Sequence, residues 1–143
     1  IMVANCDQLM VWNHKEFYKK IQTGLYPGGL IPVFLPDHNE PIHSYVELDH
    51  YNNLLQVKEK EIIGPLATVG VYYFVDEVDF IRAHNKQKDA NDRVNNEFYL
   101  APVYNYLEEN VGVFEIEKMI GMGTPQELNA LKNSEWWDRL DSL

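Results

Sequence analysis

Residues able to do chemistry fall in a few short stretches of this chain. In VANCDQ, at 3–8, an apolar run from Ile1 to Ala4 gives way at once to Asn5, Cys6 and Asp7. A strand of an α/β sheet that ends in Asn and Asp delivers those side chains to the crevice where such folds bind ligands. The plainer alternative is that Asp7 caps the turn after the strand. VKEK follows at 57–60. Glu59 offers a carboxylate that can accept paired hydrogen bonds from adjacent hydroxyls, and Lys60 offers an ammonium point charge suited to a phosphate. The alternating signs of KEKE equally suit a solvated strand end. In ATVGVYYF, Gly70 interrupts a bulky run two residues after Thr68, which calls for close approach by a ligand or by another part of the chain. Asn96 and Glu97 precede a proline-containing segment, where the charge of Glu97 also suits the positive end of a helix. GMGTPQEL sets Thr124, Pro125 and Glu127 in the order of a capped helix start.

The elements that must position these residues alternate in type. Residues 1–5 read as a short buried strand by apolar content. Asn13 is placed to cap a short amphipathic helix with Phe17 and Ile21 on one face and Gly24 as its stop. YPGG is a turn, and LIPVFLP is a strand whose prolines demote it to an edge or bent position. HSYVELDHYNNLLQVKEK reads as a hairpin around DHYNN, with Tyr45, Glu47 and Asp49 on one side and Val46 and Leu48 on the other. ATVGVYYFV is the strongest strand signal, and DEVDFIRAHNK is a helix capped by Asp76. A further helix is expected from Pro102 to about Asn110, a strand over VGVFEIEKMI with Val111, Val113 and Ile116 inward, and a last helix from Thr124 toward Trp136 and Trp137. This alternation predicts an α/β protein with a mixed sheet.

The chain's 143 residues suit one domain, or part of a larger one, and 45% hydrophobic with 24% charged residues matches folded rather than disordered proteins. A net charge of -10 opposes a nucleic-acid interface, which needs basic neutralisation, yet leaves room for a small phosphorylated ligand. Cys6 is the single cysteine, so no internal disulfide forms, and no apolar run reaches membrane-span length. A soluble, cytoplasmic protein is expected. Cys6 lacks a partner that would suggest nucleophilic or zinc chemistry, and the five histidines show no paired metal spacing. His43, beside Ser44 and Tyr45, is either a pocket or a surface residue. The WWDRL segment is expected to pack on the sheet or on a partner, which allows a homo-oligomer.

Taken in order, VANCDQ, VKEK, ATVGVYYF and GMGTPQEL resemble the C-terminal part of the sugar-phosphate nucleotidyltransferases, the nucleoside-diphosphate-sugar pyrophosphorylases, over residues 1–131. Those enzymes join a nucleoside triphosphate to a sugar 1-phosphate and release pyrophosphate. The resemblance implies a mixed-sheet, three-layer, Rossmann-like fold of the nucleotide-diphospho-sugar transferase kind, with this single domain, 1–143, as its C-terminal portion and the first strands missing. It implies that Asp7 holds Mg2+, that Asn5 orients Asp7 or touches the sugar, that Glu59 reads sugar hydroxyls and that Lys60 holds the sugar phosphate. Thr68, Val69 and Gly70 then bring strand backbone against the sugar, and Glu97 lies beside the pocket.

Two departures accompany the likeness. Many members carry a second metal aspartate two residues before Gly-Thr, where this chain has Gly121. The glycine-rich basic loop that cradles the triphosphate has no equivalent, so the chain alone is expected to be inactive. The implied role is nucleotide-sugar supply for polysaccharide precursors. Two rival readings are a glycosyltransferase of related fold, which usually shows two aspartates one residue apart where CDQ has one, and a non-catalytic sugar-phosphate-binding or regulatory module.

Overall fold

A computed structural model describes residues 1–140. In chain order the elements are β1 (Met2–Ala4), β2 (Gln8–Val11), α1 (His14–Gln22), β3 (Gly29–Phe34), β4 (Ser44–Leu48), β5 (Leu54–Glu59), β6 (Leu66–Thr68), β7 (Val71–Phe74), α2 (Glu77–Asp89), a 3-10 helix (Ala101–Tyr106), β8 (Val111–Glu115), β9 (Lys118–Gly121), α3 (Pro125–Lys132) and α4 (Glu135–Asp138). Seven strands form one sheet in the order β1-β7-β3-β6-β4-β5, with β8 added beside β3, while β2 and β9 form a separate antiparallel ribbon. Only β3 with β8 is parallel; the other pairs are antiparallel. The chain is therefore mixed α/β.

Alternation along the strands divides the core in two. Ile31, Val33, Val46, Val57, Phe74 and Val113 pack under Phe80 and Ala83 of α2 and under Val103 of the 3-10 helix. Phe34, Tyr45, Ala67, Val69 and Val71 pack on the other face with Met10, Trp12 and Met119 of the ribbon and its flanks. Phe17 of α1, fully buried, joins that side through Trp12 and Phe114, with ring centroids at 5.1 and 5.4 Å. Tyr45 and Val46, adjacent on β4, thus serve opposite faces, as period-two alternation requires.

The local signals for helices act as expected. Asn13 accepts from the Glu16 amide, Asp76 from the Val78 and Asp79 amides, and Thr124 with Glu127 closes a reciprocal capping box. The hairpin turn is held by Asp49, whose carboxylate accepts from the Tyr51 and Asn53 amides at 2.8 Å. The outer strand β5 is fastened by Asn105 of the 3-10 helix, whose amide accepts from Val57 N at 2.7 Å and donates to Val57 O at 2.8 Å. One side-chain amide thereby mimics a neighbouring strand.

Several expectations are corrected. β1 is not buried: Met2 is exposed, and the strand pairs with β7 alone. β3 is central and wholly buried despite Pro32. Its missing N–H is tolerated because Leu30 pairs with Tyr73 and Val33 with Thr68, so four residues, 69–72, face only Ile31 and Pro32 and the ladder is interrupted there. The same interruption splits the run expected as one strand into β6 and β7. The segment after Pro102 is a short 3-10 helix ending at Tyr106 rather than an α-helix to Asn110. VGVFEIEKMI is two strands, because the chain leaves the main sheet after β8 to enter the ribbon as β9. The last helix stops at Lys132, and the tryptophans belong to a separate short helix, α4, where cations flank their rings. Lys132 Nζ lies 5.9 Å from the Trp137 ring and the Arg139 guanidinium 4.6 Å from Trp136.

Candidate functional site

The interruption between β6 and β7 builds one wall of a hollow of about 330 Å³. Gly70 takes the left-handed conformation there, φ +73°, and its carbonyl accepts from Asn5 N at 2.8 Å. A Cβ at this position would sit 2.6 Å from Asn5 Nδ2 and 3.1 Å from Gln8 Nε2. The glycine is thus required by two side chains of the same protein, which themselves line the hollow together with Gly70.

The β2–β9 ribbon supplies the second wall. Gln8 pairs with Gly121, and Met122 N donates to Asp7 O at 2.7 Å, so VANCDQ and GMGTPQEL are zipped side by side. Asp7 is exposed on the lining, its Oδ2 3.0 Å from where a Cβ of Gly123 would be. Gly121 leaves space for Glu127: a Cβ there would lie 2.5 Å from Glu127 Oε1. The place where an aspartate side chain would start is filled by a different carboxylate. Glu127 Oε2 accepts from Thr124 N at 2.9 Å and from Thr124 Oγ1 at 3.1 Å, while the residue as a whole faces the hollow.

The hairpin supplies the third wall. Its register sets Ser44 opposite Glu59, and Ser44 Oγ donates to Glu59 Oε2. Tyr72 OH lies 3.1 Å from Thr68 Oγ1 and also bonds Ser44, so a row of hydroxyls backs the carboxylate. Burial pushes the Tyr72 phenol above its ordinary value, only partly offset by its bonds to Thr68 and Ser44. His43 also lines the hollow; burial lowers its pKa, against the opposing charge of Glu40.

Lys60 stands on the rim. Its backbone is left-handed, φ 56°, and its amide donates to His43 O at 2.9 Å. Nζ donates to Tyr99 OH at 3.0 Å, and Tyr99 is one of the lining residues. Buried Gln87 of α2 anchors Tyr99 in turn, donating to its carbonyl at 2.9 Å. The Lys60 pKa is raised chiefly by the Tyr99 hydrogen bond, with the charges of Glu59 and Glu97 adding to it. Glu97 is outside the lining. It closes a tight turn with Val94, across left-handed Asn95 and Asn96, and reaches Lys60 only through its charge.

Asn5, Asp7, Glu59, Thr68 and Gly70 therefore share one hollow, Lys60 borders it, and Glu97 does not line it. Ser44, Tyr72, Tyr99, Gln8 and Glu127 also line it; Gln8 and Glu127 fall within VANCDQ and GMGTPQEL but carry no site signal there, and the other three lie in strands or a loop. Ser44 could have been found from the hairpin, since pairing across DHYNN sets it beside Glu59. No set of three or more metal-ligating side chains occurs among the described residues. Mg2+ commonly binds through one or two carboxylates plus substrate phosphates and water, so Asp7 fits such an ion if the ligand brings phosphate oxygens. A second depression, lined by Leu55, Gln56, Lys58, Asp92, Asn105 and Tyr106, contains no such grouping.

No protein-family model matches this sequence, and no curated protein does. Solved structures do resemble it. A nucleoside-diphosphate-sugar pyrophosphorylase from Vibrio cholerae RC9 is similar at a TM-score of 0.73 and 22% identity, over 94% of this chain and 56% of its own. A protein from Bacillus anthracis described as a glucose-1-phosphate thymidylyltransferase, crystallised with sucrose, gives 0.68 and 14%, over 90% and 51%. HddC from Yersinia pseudotuberculosis gives 0.56 and 16%, over 91% and 52%. At these identities the likeness establishes the fold. The chain spans about half the length of the structures it resembles.

Proposed function

We propose that this chain is the sugar-phosphate- and metal-binding portion of a sugar-phosphate nucleotidyltransferase, which makes a nucleotide-sugar and pyrophosphate from a nucleoside triphosphate and a sugar 1-phosphate. The observation that carries the reading is the meeting of Asp7 and Glu59 in one hollow with Lys60 at its rim. The fold shared with nucleotide-sugar pyrophosphorylase structures supports it. Supply of polysaccharide precursors in the cytoplasm belongs to the same proposal; among the described residues no helix is long and apolar enough to cross a membrane.

Glu59, fixed through Oε2 by Ser44, offers Oε1 to a sugar hydroxyl. Lys60, kept cationic by its surroundings, exchanges the Tyr99 hydroxyl for the sugar phosphate. Asn5 and Gln8, crowded against Gly70, form a polar flank of the same hollow. In the reaction a phosphate oxygen of the sugar bonds to the α-phosphorus as the bond to pyrophosphate breaks. Asp7 would hold magnesium together with substrate phosphate oxygens, and the ion would supply charge neutralisation at that centre. The chain's own residues orient the nucleophile, which is where much of the rate of such transfers originates.

Isothermal titration of the chain with hexose 1-phosphates, with and without Mg2+, tests the proposal. Binding is expected, strengthened by Mg2+ and weakened about tenfold or more in Lys60→Ala. Binding that ignores the Lys60 substitution would remove the reading.

A further inference from the structure

We propose that the hollow selects a sugar 1-phosphate whose ring substituents are uncharged and rejects the corresponding uronic acid. The inference rests on the functional reading above and adds the class of sugar. Three carboxylates, Asp7, Glu59 and Glu127, line the cavity, and no Lys or Arg does so among the described residues. Lys60, at the rim, is assigned to the phosphate. A carboxylate on the sugar ring would enter with no basic partner and with Glu59 facing it. His43 does not supply the missing charge near neutral pH, because burial holds its pKa below the ordinary imidazole value.

The hydrogen-bond inventory points the same way. The Ser44 hydroxyl proton is committed to Glu59, and the Thr68 and Tyr72 hydroxyls are engaged with each other. At the Glu59 wall what remains toward the ligand is an acceptor, Glu59 Oε1, while the donors that line the hollow, the Asn5 and Gln8 amides beside Gly70, are uncharged. Sugar hydroxyls, which donate, satisfy that acceptor; a uronate oxygen, which only accepts, cannot. A uronate would instead set its carboxylate against that of half-buried Glu59 with no donor between them.

The test is calorimetric titration, in Mg2+, of matched pairs: glucose 1-phosphate against glucuronic acid 1-phosphate, and galactose 1-phosphate against galacturonic acid 1-phosphate. In whichever series the hexose binds, the uronate is expected to bind about tenfold or more weakly, since like charges set face to face are strongly unfavourable. Glu59→Gln should narrow that gap. Ser44→Ala should lower hexose affinity while keeping the gap, because the charge remains. A uronate that binds as tightly as its hexose overturns the inference and leaves the functional reading standing. Failure of every sugar phosphate to bind removes both.

Discussion

Replacing Gly70 by alanine separates two costs that the structure assigns to one residue. The first is conformational: an L residue held in the left-handed region loses about 1–2 kcal/mol. Gly24, at φ +69° with nothing within 4 Å of where a Cβ would be added, carries that cost alone. The second is steric and specific to Gly70, where the new methyl would meet Asn5 Nδ2 at 2.6 Å, Asn5 Cγ at 3.0 Å and Gln8 Nε2 at 3.1 Å. Those are ends of movable side chains, so they swing away rather than unfold the sheet, and the place they have to go is the hollow they line. Urea denaturation should therefore show Gly24→Ala and Gly70→Ala both less stable by about 1–2 kcal/mol, with Gly70→Ala at most about 1 kcal/mol worse. Hexose 1-phosphate titration should separate them: Gly24→Ala binds as the parent does, and Gly70→Ala binds about tenfold or more weakly, an effect of about 1.4 kcal/mol. Equal binding by both variants would refute the claim that Asn5 and Gln8 are positioned by the glycine for the ligand.

Asn105→Ala should cost about 1–2 kcal/mol of stability in urea, since it strips both backbone groups of Val57 of their partner. Burial raises the Tyr104 phenol well above its ordinary 10.0. Above that pH the unfolded chain releases a proton that the folded one retains, so stability should fall as pH rises past 10, and Tyr104→Phe should flatten the fall in a pH series of denaturation midpoints. Asp7→Asn should leave thermal unfolding unchanged, Asp7 being exposed, while abolishing the Mg2+ enhancement of sugar-phosphate binding in calorimetry.

Local signals carry far in this sequence, and non-local pairing is where they stop. The caps at Asn13, Asp76 and Thr124 and the turn at Asp49 are satisfied within a few residues, so they can be read directly. The β2–β9 ribbon joins the two ends of the chain, and nothing in Gln8–Val11 or Lys118–Gly121 alone marks the partner. Pro32 reads as an edge residue because the rule against proline in central strands assumes an unbroken ladder, and the ladder is broken opposite it. The same holds within the site. Asp7, Glu59, Thr68 and Gly70 are visible as residue types, and their meeting in one hollow is what the structure adds. Ser44 and Tyr72 look like ordinary strand residues until the hairpin register and the break at Gly70 turn their hydroxyls toward Glu59. Glu127 is legible as a cap, and its second position beside Gly121 depends on the ribbon.

The most direct test is an NMR titration of the isotopically labelled chain with a hexose 1-phosphate and Mg2+. Amide shifts are predicted to change at Asp7, Ser44, Glu59, Lys60, Thr68 and Gly70 together, at one common affinity. Shifts confined to the depression beside Asn105 and Tyr106, or moving at Asp7 and at Glu59 with unrelated affinities, would contradict a single sugar-phosphate site.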